Sequence, residues 1–145
     1  MIQLKPESLA TIFSHASQRY PEECCGFVYA NGIVHRGTNI QNELHACNPQ
    51  TYDRDARIGY TFSVADTIAL NKSMATDNPA AIIYHSHPDV GAYFSAEDGE
   101  KALFLGEPIY PVQYLVVAVT NGRPIEAKTF SWEKNKFTCI HTYQP

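Results

Sequence analysis

Apolar residues recur along this chain with two spacings, and these predict its helices and strands. Over residues 6 to about 20, apolar positions fall three or four apart, which is typical of an amphipathic helix that Pro21 ends. The apolar face of this helix contains Leu9, Ile12, Phe13, Ala16 and Tyr20. Ser63, with Asp66 three residues later, predicts a second helix to about residue 75, and Ser95 begins a third.

Short runs rich in β-branched and aromatic residues predict the strands. These runs are residues 26–30, 33–35, 59–62, 81–84, 113–119, 125–132 and 137–143. Asn31-Gly32 and Asn121-Gly122 each separate two of the runs, and Asn-Gly between apolar runs strongly favours an antiparallel hairpin. Helices and strands mix without regular βαβ alternation. The pattern therefore predicts an α/β fold with a mixed, partly antiparallel sheet and flanking helices.

Residues 36–57 are polar, with several turn formers and no hydrophobic period. A connection of this length is more often functional than idle. We therefore expect this segment to border a substrate groove.

Length and charge narrow the class of protein. With 145 residues, of which 44% are hydrophobic, the chain is predicted to form one domain over residues 1–145. The net charge is −4 and there is no Lys/Arg block, which argues against a nucleic-acid or anionic-membrane partner. No signal-peptide pattern is present, and no apolar stretch approaches the roughly 18 residues of a membrane helix. We therefore expect a cytoplasmic protein.

The four cysteines do not form a metal-binding or redox pattern. Cys24 and Cys25 are adjacent, Cys47 and Cys139 are isolated, and there is no C-x-x-C pair. In a reducing compartment we expect buried thiols that pack as small apolar side chains.

The densest group of polar ligands follows the predicted strand at residues 81–84. His85 and His87 lie two positions apart, so their side chains project from the same face of a strand. Asp98 falls in the first turn of the helix that Ser95 begins. Two imidazoles and one carboxylate leave the fourth tetrahedral position open for water, as in catalytic zinc sites. The sequence therefore predicts a catalytic zinc bound by His85, His87 and Asp98.

Each of these features alone has a simpler interpretation. Single strand histidines are more often core residues than ligands, and Ser95 with Asp98 is also a helix-capping box. A lone Glu23 is most often a surface carboxylate. The remaining histidines are interpreted as surface or core residues. They are His15, His35, His45 and His141.

Taken together, the segments resemble the signature of the JAMM (MPN-plus) zinc metallopeptidases. His85 to Pro88 matches H-x-H-P, Ser95 with Asp98 matches S-x-x-D, and residues 21–26 match P-x-E-x-C-G. The resemblance implies that His85, His87 and Asp98 hold zinc, that Glu23 is the general base, and that Ser95 assists at the scissile carbonyl. It also implies a curved mixed sheet similar to the cytidine deaminase core. Phe94 departs from the family pattern, in which proline often precedes the serine.

Other hydrolase families fit less well. An amidohydrolase barrel needs about 250 residues, and a zinc nucleobase deaminase needs H-x-E and P-C-x-x-C, which this sequence lacks. The G-x-S-x-G of serine hydrolases is absent, and no histidine can be assigned to Cys25 as a partner.

The resemblance also implies a substrate class. JAMM enzymes cut after the C-terminal glycines of ubiquitin or ubiquitin-like proteins, and compact bacterial members resemble those that trim sulfur carriers of the β-grasp fold or release an amino acid from the C-terminus of such carriers. The alternatives are a cell-wall or phage-tail-type peptidase and a non-catalytic MPN scaffold. Tyr93 and Phe94 are expected to line the entrance to the cleft, unless they are simple packing residues. The oligomeric state is not predicted.

Overall fold

A six-stranded mixed sheet forms the centre of the computed structural model, which describes residues 2–145. The helices are α1 (Pro6–Arg19), α2 (Gln41–Cys47), α3 (Val64–Ser73) and α4 (Ala96–Ala102). The strands are β1 (Cys25–Tyr29), β2 (Val34–Arg36), β3 (Ala80–Pro88), β4 (Leu103–Phe104), β5 (Glu107–Pro108), β6 (Gln113–Thr120), β7 (Arg123–Glu133) and β8 (Lys136–Tyr143).

The main sheet has the order β2-β1-β3-β6-β7-β8, while β4 and β5 form a separate hairpin. Strands β3 and β6 are parallel, and the other neighbouring pairs of the sheet are antiparallel. The predicted α/β fold with a mixed, partly antiparallel sheet and flanking helices is confirmed.

The two faces of the sheet carry separate apolar clusters, and this division decides where the histidines point. Ile82 and Tyr84 of β3 pack with Ile12 and Ala16 of α1 on one face. Ile83 packs on the opposite face in a cluster that includes Leu70 of α3 and Ala102 of α4. Side chains alternate along a strand, so His85 and His87 lie on the same face as Ile83. The ligand pair therefore faces away from α1.

The two predicted hairpins are present but use different turns. Asn121 and Gly122 have φ values of 50° and 80°, the left-handed pair that a two-residue type I′ turn requires. Only Gly32, at φ 92°, is left-handed in the earlier turn, where the Tyr29 amide donates to the Ile33 carbonyl. Local sequence was sufficient for both reversals.

Three local predictions need correction. Residues 59–62 do not form a strand, because only Phe62 makes an isolated bridge, with Asn39. The 36–57 segment contains helix α2, whose first residue follows an N-cap, Ile40, without a side-chain cap bond. The predicted second helix ends at Ser73 rather than near residue 75.

The cysteine prediction is half right. Cys24 and Cys25 are buried and burial raises the pKa of Cys24 to about 12, so these thiols are protonated at neutral pH. Cys47 and Cys139 are exposed, contrary to the prediction, and all four cysteines are free.

Within residues 2–145, no helix combines the length and apolar character needed to cross a membrane.

Candidate metal centre

Three ligand atoms converge where β3 meets the first turn of α4. His85 Nε2 lies 3.1 Å from His87 Nε2 and 3.2 Å from Asp98 Oδ1, and His87 Nε2 lies 3.3 Å from Asp98 Oδ2. Each of the three residues offers one ligand atom within 4.8 Å of the others, and all three residues are buried or nearly so. The structure thus brings together the three residues predicted as metal ligands.

The hydrogen bonds of the imidazoles favour metal binding. His87 Nδ1 lies 3.1 Å from the Gly91 carbonyl oxygen, which accepts only, so we assign the proton to Nδ1 and a free lone pair to Nε2. Burial lowers the pKa of His85 and thus favours its neutral form. A neutral imidazole nitrogen facing a second nitrogen and a carboxylate is a donor set that suits a cation such as zinc.

The His85 ring and the His87 ring are held in different ways. His85 Nδ1 is buried and has no hydrogen-bond partner among the residues that the structure describes. The His87 ring is therefore oriented by a backbone acceptor, whereas the His85 ring is oriented by packing.

That packing comes from Tyr60, which sequence reasoning did not identify. The Tyr60 ring stacks on the His85 ring with centroids 4.7 Å apart and an interplanar angle of 24°. The Tyr93 ring lies against the His87 ring, with centroids 5.0 Å apart. Nothing in the local sequence around Tyr60 marks it as a partner of a residue 25 positions later.

Asp98 serves two purposes at once. Its Oδ2 accepts a hydrogen bond from the Ser95 amide at 3.0 Å, and the Asp98 amide donates to Ser95 Oγ at 3.1 Å. This is a complete capping box at the start of α4. The capping interpretation is confirmed, and the cap also holds the carboxylate toward the two imidazoles, as the ligand interpretation requires.

Glu23 comes from a separate part of the chain, and its backbone is held on both sides. Its amide donates to the Ala56 carbonyl at 2.7 Å, and its carbonyl accepts from Asn39 Nδ2 at 3.0 Å. The amide of the next residue, Cys24, donates to Ser86 Oγ at 2.8 Å. These bonds prevent the segment from shifting along β3.

The strand register explains why Glu23 reaches the ligands. Cys25 of β1 is opposite His85 of β3, and the Ser86 amide donates to the Cys24 carbonyl. Two residues beyond the Cys25–His85 pair, the same antiparallel register places Glu23 beside His87, with the two side chains on the same face.

The choice of Glu23 over Glu22 has a structural basis. Glu23 is 6% exposed and lines the cleft with His87, Ser95 and Asp98. Glu22 is half-buried elsewhere, where its carboxylate accepts hydrogen bonds from Arg19 and Asn42.

The electrostatic setting of Glu23 suits a proton acceptor near neutral pH. Burial is the main reason that the pKa of Glu23 is raised to about 8; the neighbouring His87 opposes this rise, and the charge of Asp98 adds to it. A cation held by the adjacent ligands would favour the charged carboxylate. Metal binding and deprotonation of Glu23 are therefore linked.

A cleft of about 550 Å³ opens over these residues. Glu23, His87, Ser95 and Asp98 line it, while His85 is fully buried below. The 36–57 segment borders the cleft through Tyr52, Arg54 and Arg57. Tyr93 also lines it.

Phe94 is not among the residues that line the cleft, so of the two alternatives left open for it, simple packing applies. Its ring packs against Tyr114, Phe130 and Phe137, with centroid distances from 4.5 to 5.6 Å. Phe94 therefore anchors the loop before α4 to the sheet, which shows why an aromatic residue is accommodated there.

The remaining histidines lie elsewhere. His15 is buried against Tyr84, His35 pairs with Asp66, His45 contacts the Tyr52 carbonyl, and His141 is exposed. None belongs to the group of candidate ligands found within the described residues.

Comparison with known proteins agrees with this geometry. The family model Prok-JAB, described as prokaryotic homologs of the JAB domain, matches residues 5–133. No curated protein matches the chain.

Two solved structures share the fold. A solution structure from Desulfitobacterium hafniense is 22% identical, with a TM-score of 0.65, and the match covers 97% of this chain and 90% of that one. A solution structure from Salinibacter ruber is 25% identical, with a TM-score of 0.62, and covers 99% and 92%. These similarities concern the architecture and not the chemistry.

Proposed function

Since this chain belongs to the prokaryotic JAB-domain family, we propose that it is a zinc-dependent peptidase that cuts the C-terminal tail of a small ubiquitin-like protein. The observation that supports this most is the convergence of His85, His87 and Asp98 beside a Glu23 that an independent segment positions. A non-catalytic scaffold has no need of a buried carboxylate facing an intact ligand set.

The ion would be held by His85 Nε2, His87 Nε2 and a carboxylate oxygen of Asp98. When bound, zinc supplies a Lewis acid that polarises a carbonyl and lowers the pKa of water. The three residues contribute a fixed position, because the capping box restrains Asp98 and the Gly91 carbonyl restrains His87.

Glu23 is the proposed general base and acid. Its carboxylate takes a proton from the attacking water and later gives it to the nitrogen of the leaving amine. In the absence of a cation the pKa of Glu23 is about 8, and a cation bound beside it would lower this pKa and favour the carboxylate form that accepts the proton. Its position just before β1, on a different segment from the ligands of β3 and α4, allows it to act from the open side of the site.

Ser95 is the proposed oxyanion partner. Ser95 Oγ accepts a hydrogen bond from the Asp98 amide, and this bond fixes the position of the oxygen. The hydroxyl proton is left free to be donated into the cleft. A donor that is already oriented costs little reorganisation as negative charge develops on the carbonyl oxygen.

The proposed substrate is a flexible tail that ends in or passes through Gly-Gly, presented by a β-grasp protein such as a sulfur carrier. Glycine suits this cleft because the scissile backbone must approach both Glu23 and the ligand atoms, and a side chain would obstruct that approach. The folded body of the partner would supply recognition, and the reaction is proposed to take place in the cytoplasm.

The direct test incubates zinc-loaded protein with a β-grasp sulfur carrier extended beyond its diglycine, and measures intact masses. Cleavage after Gly-Gly that a chelator abolishes is expected. Glu23→Gln loaded with the same amount of zinc is the matched control and should leave the carrier intact. Equal cleavage of a free tail peptide would indicate a general peptidase, and no cleavage by a zinc-loaded protein that still binds the carrier would indicate a scaffold.

A further inference from the structure

A second pocket lies beside the metal cleft, and the two share the side chains of Tyr60 and Lys101. We infer that this pocket receives the side chain of an apolar C-terminal residue, and that Lys101 Nζ binds the α-carboxylate of that residue. The inference rests on the proposed function and makes it more specific: it names the pocket and the charged group that would recognise the residue at the end of the tail.

The pocket has the composition of a side-chain site. Its volume is about 210 Å³, several times the ~30 Å³ that one water molecule occupies in the liquid. Apolar and aromatic side chains from α3, α4, the main sheet and two connecting segments make up most of its wall. They include Phe62, Leu70, Ile83, Ala102, Tyr110 and Tyr114. An apolar pocket of this kind favours a branched aliphatic or aromatic group over a charged one.

Lys101 supplies the charge at the edge of this pocket. Its Nζ lies 3.9 Å from the centroid of the Tyr60 ring, a cation–π contact that fixes the position of the ammonium group. Among residues 2–145, no carboxylate lies within 4.0 Å of Lys101 Nζ, although the negative charges of Glu23 and Asp98 attract the ammonium group over a longer distance. The ammonium group is therefore positioned but not neutralised by a direct ion pair.

The other cations of the cleft differ in this respect. Arg54 forms an ion pair with Glu97 at 2.8 Å, and Arg57 lies 3.5 Å from Asp55. Both are thus engaged within their own region of the surface. Lys101 is the cation whose charge is available where the apolar pocket joins the cleft.

The arrangement selects one class of occupant. A single ammonium group matches the single charge of a carboxylate, whereas phosphate groups usually require several donors. The Tyr60 ring holds the Lys101 ammonium group close to the candidate metal ligands, because Lys101 lies over the same ring that stacks on His85. The α-carboxylate and the side chain of a terminal residue can therefore be bound together, one residue beyond the bond to be cut.

Binding can be measured without metal or catalysis. Isotope-labelled full-length protein, kept metal-free with chelator, is titrated with L-leucine, L-leucinamide or glycine and followed by two-dimensional NMR. L-Leucine should shift the amides of Leu70, Ala102 and Tyr114 saturably, and L-leucinamide and glycine should bind at least 10-fold more weakly. Equal binding of L-leucine and its amide, or no saturable shift, overturns the inference.

Three variants locate the site. Lys101→Met keeps an unbranched side chain over Tyr60 but removes the charge. The affinity for L-leucine should therefore fall on the order of 10-fold, and the affinity for L-leucinamide should stay unchanged. Thr67→Trp fills the pocket from the exposed face of α3 and should abolish binding of both. Ile68→Trp, at the next exposed position but outside the pocket, is the matched control and should bind normally.

Cleavage assays separate this inference from the proposed function. Zinc-loaded protein is given tails that end in Gly-Gly-Leu, either as the free acid or as the amide, on the same β-grasp carrier. Preferential release of leucine from the free acid, lost in Lys101→Met and restored in Lys101→Arg, supports the inference. Equal cleavage of both tails overturns it while the peptidase stands. L-Leucine binding without cleavage of either tail overturns the peptidase while the binding pocket stands.

Discussion

Ser95 and Asp98 cap each other's backbone at the start of α4, and the same Asp98 carboxylate faces both His85 and His87. A local helix signal thus also places a candidate metal ligand. Since capping and ligation use the same side chain, the two roles have to be separated by experiment.

Asp98→Asn should separate them. Asparagine can still accept the Ser95 amide hydrogen bond, but it is a poor zinc ligand, so the fold should persist while metal affinity falls at least about 100-fold. Elemental analysis of the purified proteins should find one zinc per chain in the parent and little in the variant. Circular dichroism serves as the control for α4. Full zinc content in Asp98→Asn would show that the carboxylate only caps the helix.

Glu23→Gln should abolish turnover but not metal binding. The change keeps the shape of the side chain and removes the proton acceptor, so peptide cleavage should fall on the order of 100-fold or more with zinc content unchanged. Glu22→Gln is the matched control, because Glu22 is bound to Arg19 and Asn42 outside the cleft. Greater sensitivity at Glu22 would contradict the assignment of the base.

Stability of the metal-free protein should depend on pH through His15. Burial lowers the pKa of His15 to about 4, and the nearby Arg36 and Arg19 add to the effect. The unfolded chain, in which His15 regains its ordinary pKa of about 6.5, therefore binds the proton more readily. The stability that the neutral His15 contributes is complete above pH 6.5 and is lost as the pH falls toward 4, on the order of 3 kcal/mol.

Urea unfolding at several pH values in the presence of chelator tests this dependence. His15→Gln retains a polar group near the Tyr84 hydroxyl but does not titrate, so its stability should change less between pH 6.5 and 4 than that of the parent. His141→Gln, at an exposed position, should follow the parent. Identical pH profiles for the parent and His15→Gln would exclude this role for the buried imidazole.

Gly26→Ala should destabilise the fold while Gly99→Ala should not. A Cβ atom at Gly26 would overlap the His35 carbonyl oxygen and the buried Tyr84 hydroxyl, and such overpacking costs about 1–3 kcal/mol. At Gly99 in α4, no atom of residues 2–145 other than the chain neighbours and the helix's own backbone lies within 4 Å of the added Cβ, so alanine should gain about 0.5–1 kcal/mol. The free energies of urea unfolding check both values, and a neutral Gly26→Ala would mean that the strands can separate locally at no cost.

Much of the fold followed from local signals in the sequence. The spacing in α1, the run of apolar residues in β6 and the Asn121-Gly122 turn act over a few residues, so each could be assigned without knowledge of the rest of the chain. Elements without a strong local signal were missed or wrongly predicted. Helix α2 lacks a side-chain cap, the β4–β5 hairpin has two residues per strand, and Phe62 pairs through a single bridge.

The sequence by itself determined which residue types were available to the site: two histidines on one face of a strand, a carboxylate in the first turn of a helix, and a glutamate before another strand. Only the tertiary structure decided how they meet. Pairing of β1 with β3 aligns Glu23 with the ligands, stacking places Tyr60 on His85, and packing of Phe94 into the sheet removes it from the cleft. These contacts join residues distant in sequence, and their energies depend on which surfaces the whole chain buries together. The local sequence pattern therefore does not determine which distant residues come into contact.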